Sequence, residues 1–236
     1  MRGQASQSSE PDGGFRLGFA RELRAGAGAA WERITTHPFT DAIGDGSLSL
    51  TRFRYFMRQD YLFLIDYARV LAMASASAPD LDSMSRFAAL LDETLNSEME
   101  LHRSFCADFG IGARQLEATR PAVATTAYAS FLFGVARRSH IAEISAALLP
   151  CQWSYDEIGR KLARRRGARE GSFHRRWIDG YCAPEYRQVT DWLVRFVDRV
   201  GGEAGPRARG AMHRLFAESC RHELRFWDAA WRAGRA

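Results

Sequence analysis

The sequence predicts an all-α fold, a single bundle of about six to eight helices. Apolar residues recur at the three-and-four spacing of amphipathic helices through most of the chain. No segment of useful length alternates apolar and polar residues with the period of two that a half-buried strand needs. The 236 residues are 46% hydrophobic, enough for one substantial core. One helical domain over residues 15–236 is therefore expected, preceded by a polar, Gly/Ser-rich tail over 1–14 that reads as disordered.

The pattern predicts a helix from Phe15 to about Arg33, then an irregular loop over HPFTDAIGDGSLS, where one proline and two glycines interrupt. Ser49 is placed as an N-cap for a long helix to about Ala76, with Phe53, Phe56, Met57, Phe63, Leu64, Tyr67 and Leu71 on one stripe. Residues 81–109 read as another long helix, stopped by Gly110. Pro121 opens a further helical region carrying Tyr128, Phe131, Leu132 and Val135, and HIAEISAALLPCQWSYDEIGRKLARRR follows as the next. Pro150, inside that last segment, predicts a kink, because its ring crowds the carbonyl of Ala146 and it has no N–H to donate. The stretch from Ser172 to Val200 holds a short helix, a Gly/Pro turn and another helix; GGEAGPRARG reads as a loop, and residues 207–232 as the closing helix.

Composition excludes several function classes. The net charge is +5, and almost every basic residue is arginine, with Lys161 the one lysine. These arginines are spread along helices beside acidic neighbours, whereas a nucleic-acid surface needs them clustered on one element among aromatics. The densest run, RRRGARE at 164–170, reads as a solvated loop, so no nucleic-acid partner is expected. Cys106, Cys151, Cys182 and Cys220 form no C-x-x-C pair and no metal-ligand spacing with histidine, which predicts no metal and free thiols in a cytoplasmic protein. The N-terminal segment has no apolar core of a signal peptide, and no uncharged apolar run reaches the ~18 residues of a membrane helix. No membrane partner is expected.

Chemistry is sought among polar residues that fall on apolar stripes, since an unpaired buried carboxylate costs several kcal/mol. Asp60 lies between Phe56 or Met57 and Phe63 or Leu64, and Glu223 between Cys220 and Trp227. Both point inward. Cys151 shares a stripe with Leu148, Tyr155, Ile158 and Leu162. Each has an ordinary reading beside the functional one: cysteine is a common core residue, Asp60 could pair with Arg54 or Arg58, Glu223 could pair with His222 or a nearby arginine, and Tyr128 and Tyr181 could simply be core aromatics.

Three stretches carry a resemblance. HPFTDAIGDGSLSLTRFRYFMRQDYLFLIDYARV (37–70), HIAEISAALLPCQWSYDEIG (140–159) and CRHELRFWDAAW (220–231) resemble, in order and spacing, the signature regions of the TenA/thiaminase II family. The resemblance runs from about residue 16 to the end. It implies a heme-oxygenase-like helical bundle with a central ligand pocket, assembled as a homotetramer. It also implies hydrolysis, without metal or organic cofactor, of the bond from a pyrimidine methylene to its leaving group, giving hydroxymethylpyrimidine from aminomethylpyrimidine or from thiamin. Carried over by motif, the nucleophile falls on Cys151, the pyrimidine-binding aspartate on Asp60 and the catalytic glutamate on Glu223. Tyr128, Tyr181, Tyr155 and Phe63 fall on substrate-binding positions.

The family often has tyrosine at the position of Phe63, and aromatic residues at those of Gln152 and Asp156, which bears on substrate preference and rate. Two other readings compete. A dinuclear iron oxidase on the same fold would draw on Glu98, His102, Glu143 and His222, but the last helix lacks the H-x-x-x-[DE]-x-x-H ligand set. A non-catalytic pyrimidine-binding or regulatory protein would have no need of the Cys151 thiol, and no helix-turn-helix with a basic recognition helix is present.

Overall fold

A computed structural model describes residues 18–165 and 167–234. The expected tail over 1–14, the first residues of the first predicted helix and Arg166 lie outside the described residues. Among those described, every regular element is a helix. In chain order they are α1 (Phe19–Ala27), α2 (Ala29–Thr35), α3 (Pro38–Asp45), α4 (Leu50–Ala76), α5 (Leu81–Glu93), α6 (Met99–Asp108), α7 (Ala113–Glu117), α8 (Val123–Arg138), α9 (Ile141–Ala163), α10 (Phe173–Tyr181), α11 (Pro184–Glu203) and α12 (Pro206–Arg232). Residues Thr94–Glu98 join α5 to α6 as a π-helical turn.

The all-α expectation holds, and α4 has the predicted ends, with Ser49 accepting the Arg52 N–H at 3.4 Å. Three expectations are corrected. The loop read over HPFTDAIGDGSLS contains a complete helix, α3. Its punctuation residues stand at its ends: His37 Nδ1 accepts the Phe39 N–H at 3.1 Å, Pro38 takes the first helical position, and Gly46 closes the helix at φ 77°. The single helix read to Arg33 is two, because Gly28 at φ 48° turns the chain between α1 and α2. The loop before the last helix is only two residues long, since α11 continues to Glu203 and Pro206 starts α12.

Helix α9 is the centre of the bundle. It is buried on nearly every face and packs against α8, α10, α11 and α12, and its helix continues through Pro150. Helices α4, α8 and α12 close round it. Aromatic rings fill the space between them: Trp227 of α12 lies 5.2 Å from Phe39, Phe56 and Tyr155, from three different helices. Such pairs add roughly 0.5–1.5 kcal/mol each beyond their buried area. They fix the rotation of α12, and with it the direction in which Glu223 points.

Candidate active site

Three helices deliver the polar groups the spacing turns inward. Asp60 comes from α4, Cys151 from α9 one residue after Pro150, and Glu223 from α12. Asp60 is 4% exposed and Glu223 1%. Cys151 is only partly buried, although it stands on the central helix among buried neighbours.

Glu223 is the electrostatic hinge of the group. Burial raises its carboxyl from 4.5 to about 7, against hydrogen bonding from Tyr128 and Cys151, which favours the carboxylate. The Cys151 thiol is pushed well above its ordinary value, first by burial and then by the charges of Glu223, Asp60 and Glu98. Both effects favour the neutral thiol. Tyr128 lies 2.8 Å from Ser219 Oγ, and Ser219 gives its own proton to the Ala147 carbonyl at 2.7 Å. Tyr128 is thus the donor towards Ser219 or Glu223, and its hydroxyl is held on the α9–α12 side.

Asp60 pairs with neither Arg54 nor Arg58. Its Oδ2 lies 2.8 Å from His102 Nε2, while His102 Nδ1 donates to the Glu98 carbonyl at 2.8 Å. Burial disfavours the imidazolium, but the hydrogen bond and charge of Asp60 outweigh it and raise the His102 pKa. The result is a buried hydrogen-bonded pair that ties α4 to α6. Glu223, likewise, does not pair with His222, whose ring stacks on Tyr128 at 5.3 Å and on Phe131 at 4.9 Å.

The remaining predicted residues stand as aromatic walls. Phe63 stacks on Tyr128 with ring centroids 4.8 Å apart. Tyr155 packs at 4.9 Å from Tyr181, whose hydroxyl donates to Glu98 Oε1 at 3.2 Å. The seven predicted site residues thus gather round one interior region. The Tyr128 hydroxyl meets Ser219, and that of Tyr181 meets Glu98. Gln152 donates to Thr190 at 3.1 Å, and Asp156 bridges to Arg160 at 2.7 Å and Arg187 at 3.1 Å.

The sequence reading assigned Glu98 and His102 only to the rival metal site. That set is dispersed: Glu143 caps α9 by accepting the His140 N–H at 2.9 Å, and His222 is stacked on aromatics. No cluster of three or more His, Cys, Asp or Glu suited to a metal occurs among the described residues. The signal for Glu98 and His102 was their spacing of four on the helix that faces Asp60. Tyr67 was read only as a stripe residue; its buried hydroxyl has no hydrogen-bond partner in the structure.

Residues 25–233 match the family described as TENA/THI-4/PQQC. A relative from Halalkalibacterium halodurans, named aminopyrimidine aminohydrolase, is 42% identical over 215 residues, covering 91% of this chain and 96% of its own. A solved TenA homologue from P. horikoshii OT3 superposes with a TM-score of 0.85 at 27% identity, covering 92% of this chain and 100% of its own. A domain with a heme oxygenase-like fold from Shewanella denitrificans OS217 superposes with a TM-score of 0.72 at 14% identity, covering 90% and 91%, which is a likeness of fold alone.

Proposed function

The chain belongs to the TENA/THI-4/PQQC family, and from that premise we propose that it is an aminopyrimidine hydrolase of thiamin salvage or degradation, with Cys151 as nucleophile. The observation that carries the proposal is the Cys151 thiol beside a Glu223 carboxyl raised to about 7, with Asp60 held in the same interior.

The chemistry follows from what each group can do. Asp60, oriented by His102, accepts from the 4-amino group of the pyrimidine. Glu223 takes the thiol proton and passes it to a ring nitrogen, so it ends the addition in the state in which it began. The thiolate adds to the electron-poor carbon beside the one that carries the methylene. The electron pair of the 4-amino group then expels the substituent on the methylene, and Asp60 stabilises the positive charge left on the amidine. Water adds to the exposed methylene and gives one proton to the departed amine or to solvent, the thiolate leaves the ring, and the ring N–H proton returns to it through Glu223. Tyr128 fixes Glu223, while Phe63, Tyr155 and Tyr181 wall the ring.

The same site serves aminomethylpyrimidine, which loses ammonia, and thiamin, which loses its thiazole. The ring-binding and nucleophilic groups are common to both, and no step calls on a metal or organic cofactor. The buried cluster that runs from Phe19 to Ala230 supports reading residues 15–236 as one domain. Four free cysteines support a cytoplasmic location, and the homotetramer rests on family membership.

The test is to incubate purified protein separately with thiamin and with 4-amino-5-aminomethyl-2-methylpyrimidine and to follow hydroxymethylpyrimidine by chromatography. Product from either supports the reading, and the ratio of the two rates identifies the preferred substrate. Absence of product from both refutes it.

A further inference from the structure

The proposed chemistry leaves one partly buried carboxylate beside these residues without a task. Glu98 is the last residue of the π-helical turn between α5 and α6, an irregularity that tends to mark functional positions. Its side chain accepts from Tyr181 and, with Tyr181, Tyr186, Thr94 and Gln152, lines a cavity of about 160 Å³. Tyr181, in the wall of that cavity, packs on Tyr155 of the Cys151 region. Tyr67 adds a second observation. Its hydroxyl is buried without a hydrogen-bond partner and lies in the field of Cys151, Glu98 and Glu223. The Tyr67 hydroxyl is thus a polar group without a partner that feels both the nucleophile and Glu98.

Ring chemistry says what belongs there. The carbon that carries the methylene lies between the carbon bearing the 4-amino group and the carbon the thiolate attacks. Its substituent must leave the ring between Asp60 and Cys151. Glu98 is the further carboxylate that acts on both of them. We propose that Glu98 and its cavity form the subsite for the departing substituent and select substituents that carry a positive charge, an ammonium or a heterocyclic cation.

This assignment rests on the hydrolase reading and deepens it. Burial raises Glu98 to about 7, and a bound cation favours its ionised form. When the C–N bond breaks, its electron pair goes to nitrogen and the ammonium leaves as uncharged ammonia, so the attraction ends with the bond. The hydroxymethyl product is neutral and is not held by Glu98.

The experiment is calorimetric titration of Cys151→Ala, which binds without turnover, with aminomethylpyrimidine and with hydroxymethylpyrimidine at a pH of about 7.5, repeated with Glu98→Gln added. The ammonium ligand is expected to bind about tenfold more tightly than the hydroxymethyl ligand to Cys151→Ala, the size of one charge-assisted contact. In the double variant that preference disappears while affinity for the neutral ligand is unchanged. A preference that survives Glu98→Gln, or an equal loss of affinity for both ligands, overturns the assignment and leaves the hydrolase reading intact. Failure of either pyrimidine to bind Cys151→Ala contradicts the hydrolase reading itself, and this subsite with it.

Discussion

Burial sets the behaviour of Glu223 in stability as well as in the proposed catalysis. Its folded pKa of about 7 stands above its ordinary 4.5, so folding favours the protonated form. Below pH ~4.5 both states hold the proton and nothing is lost; between ~4.5 and ~7 the unfolded chain ionises first and stability falls; above ~7 the loss levels off. At 1.36 kcal/mol per unit the whole effect is about 3 kcal/mol. Glutamine does not titrate. Glu223→Gln should therefore gain about 3 kcal/mol of stability relative to the parent between pH 4.5 and 8, read from urea unfolding at the two pH values. An offset that is the same at both would contradict the buried, raised carboxyl. The inward direction of Asp60 and Glu223 was legible in the sequence because their neighbours one turn away are apolar. Their partners were not. Whether Asp60 meets an arginine of its own helix or His102 of another depends on how α4 and α6 are rotated against each other, which no local pattern encodes.

At the scale of elements, the long helix α4 was legible to the residue and the short α10 was legible as a helix, whereas α3 and α7 were not. In α3 the same Pro and Gly that argued for a loop occupy its first position and its C-terminal turn, and eight residues give too little periodicity to decide between the two. The π-helical turn has no sequence signature here. Contact between elements is equally hidden: Gly159 of α9 faces the end of α10, where an added Cβ would stand 2.6 Å from the Tyr181 carbonyl carbon. Backbone cannot yield as a flexible side chain does. Gly159→Ala should cost roughly 1–3 kcal/mol and lower kcat, because Tyr181 is carried on the displaced segment. Unfolding and turnover measured on one preparation check this; an unchanged stability would mean that α9 and α10 are less closely packed than described.

For the whole molecule, the absence of alternating segments and the size of the core made the helical bundle legible, and three separated motifs gave its family. The assembly was visible in neither helix pattern nor composition. The proposed homotetramer predicts a species of four times the 26.6 kDa chain by light scattering in solution. A mass of one chain across a wide concentration range would refute it. The proposed site, in contrast, draws its seven residues from α4, α8, α9, α10 and α12 of one chain. Its chemistry is expected to survive conditions that dissociate the assembly without unfolding it.

The central claim is that Cys151 forms the bond to the ring. The most direct measurement compares the initial rate of hydroxymethylpyrimidine formation by the parent protein and by Cys151→Ala, with circular dichroism confirming that both are folded. A loss of about a thousandfold or more, with the fold intact, is predicted for removal of a nucleophile. A variant that retains a rate within about tenfold of the parent would show that water attacks the substrate directly and would contradict the account.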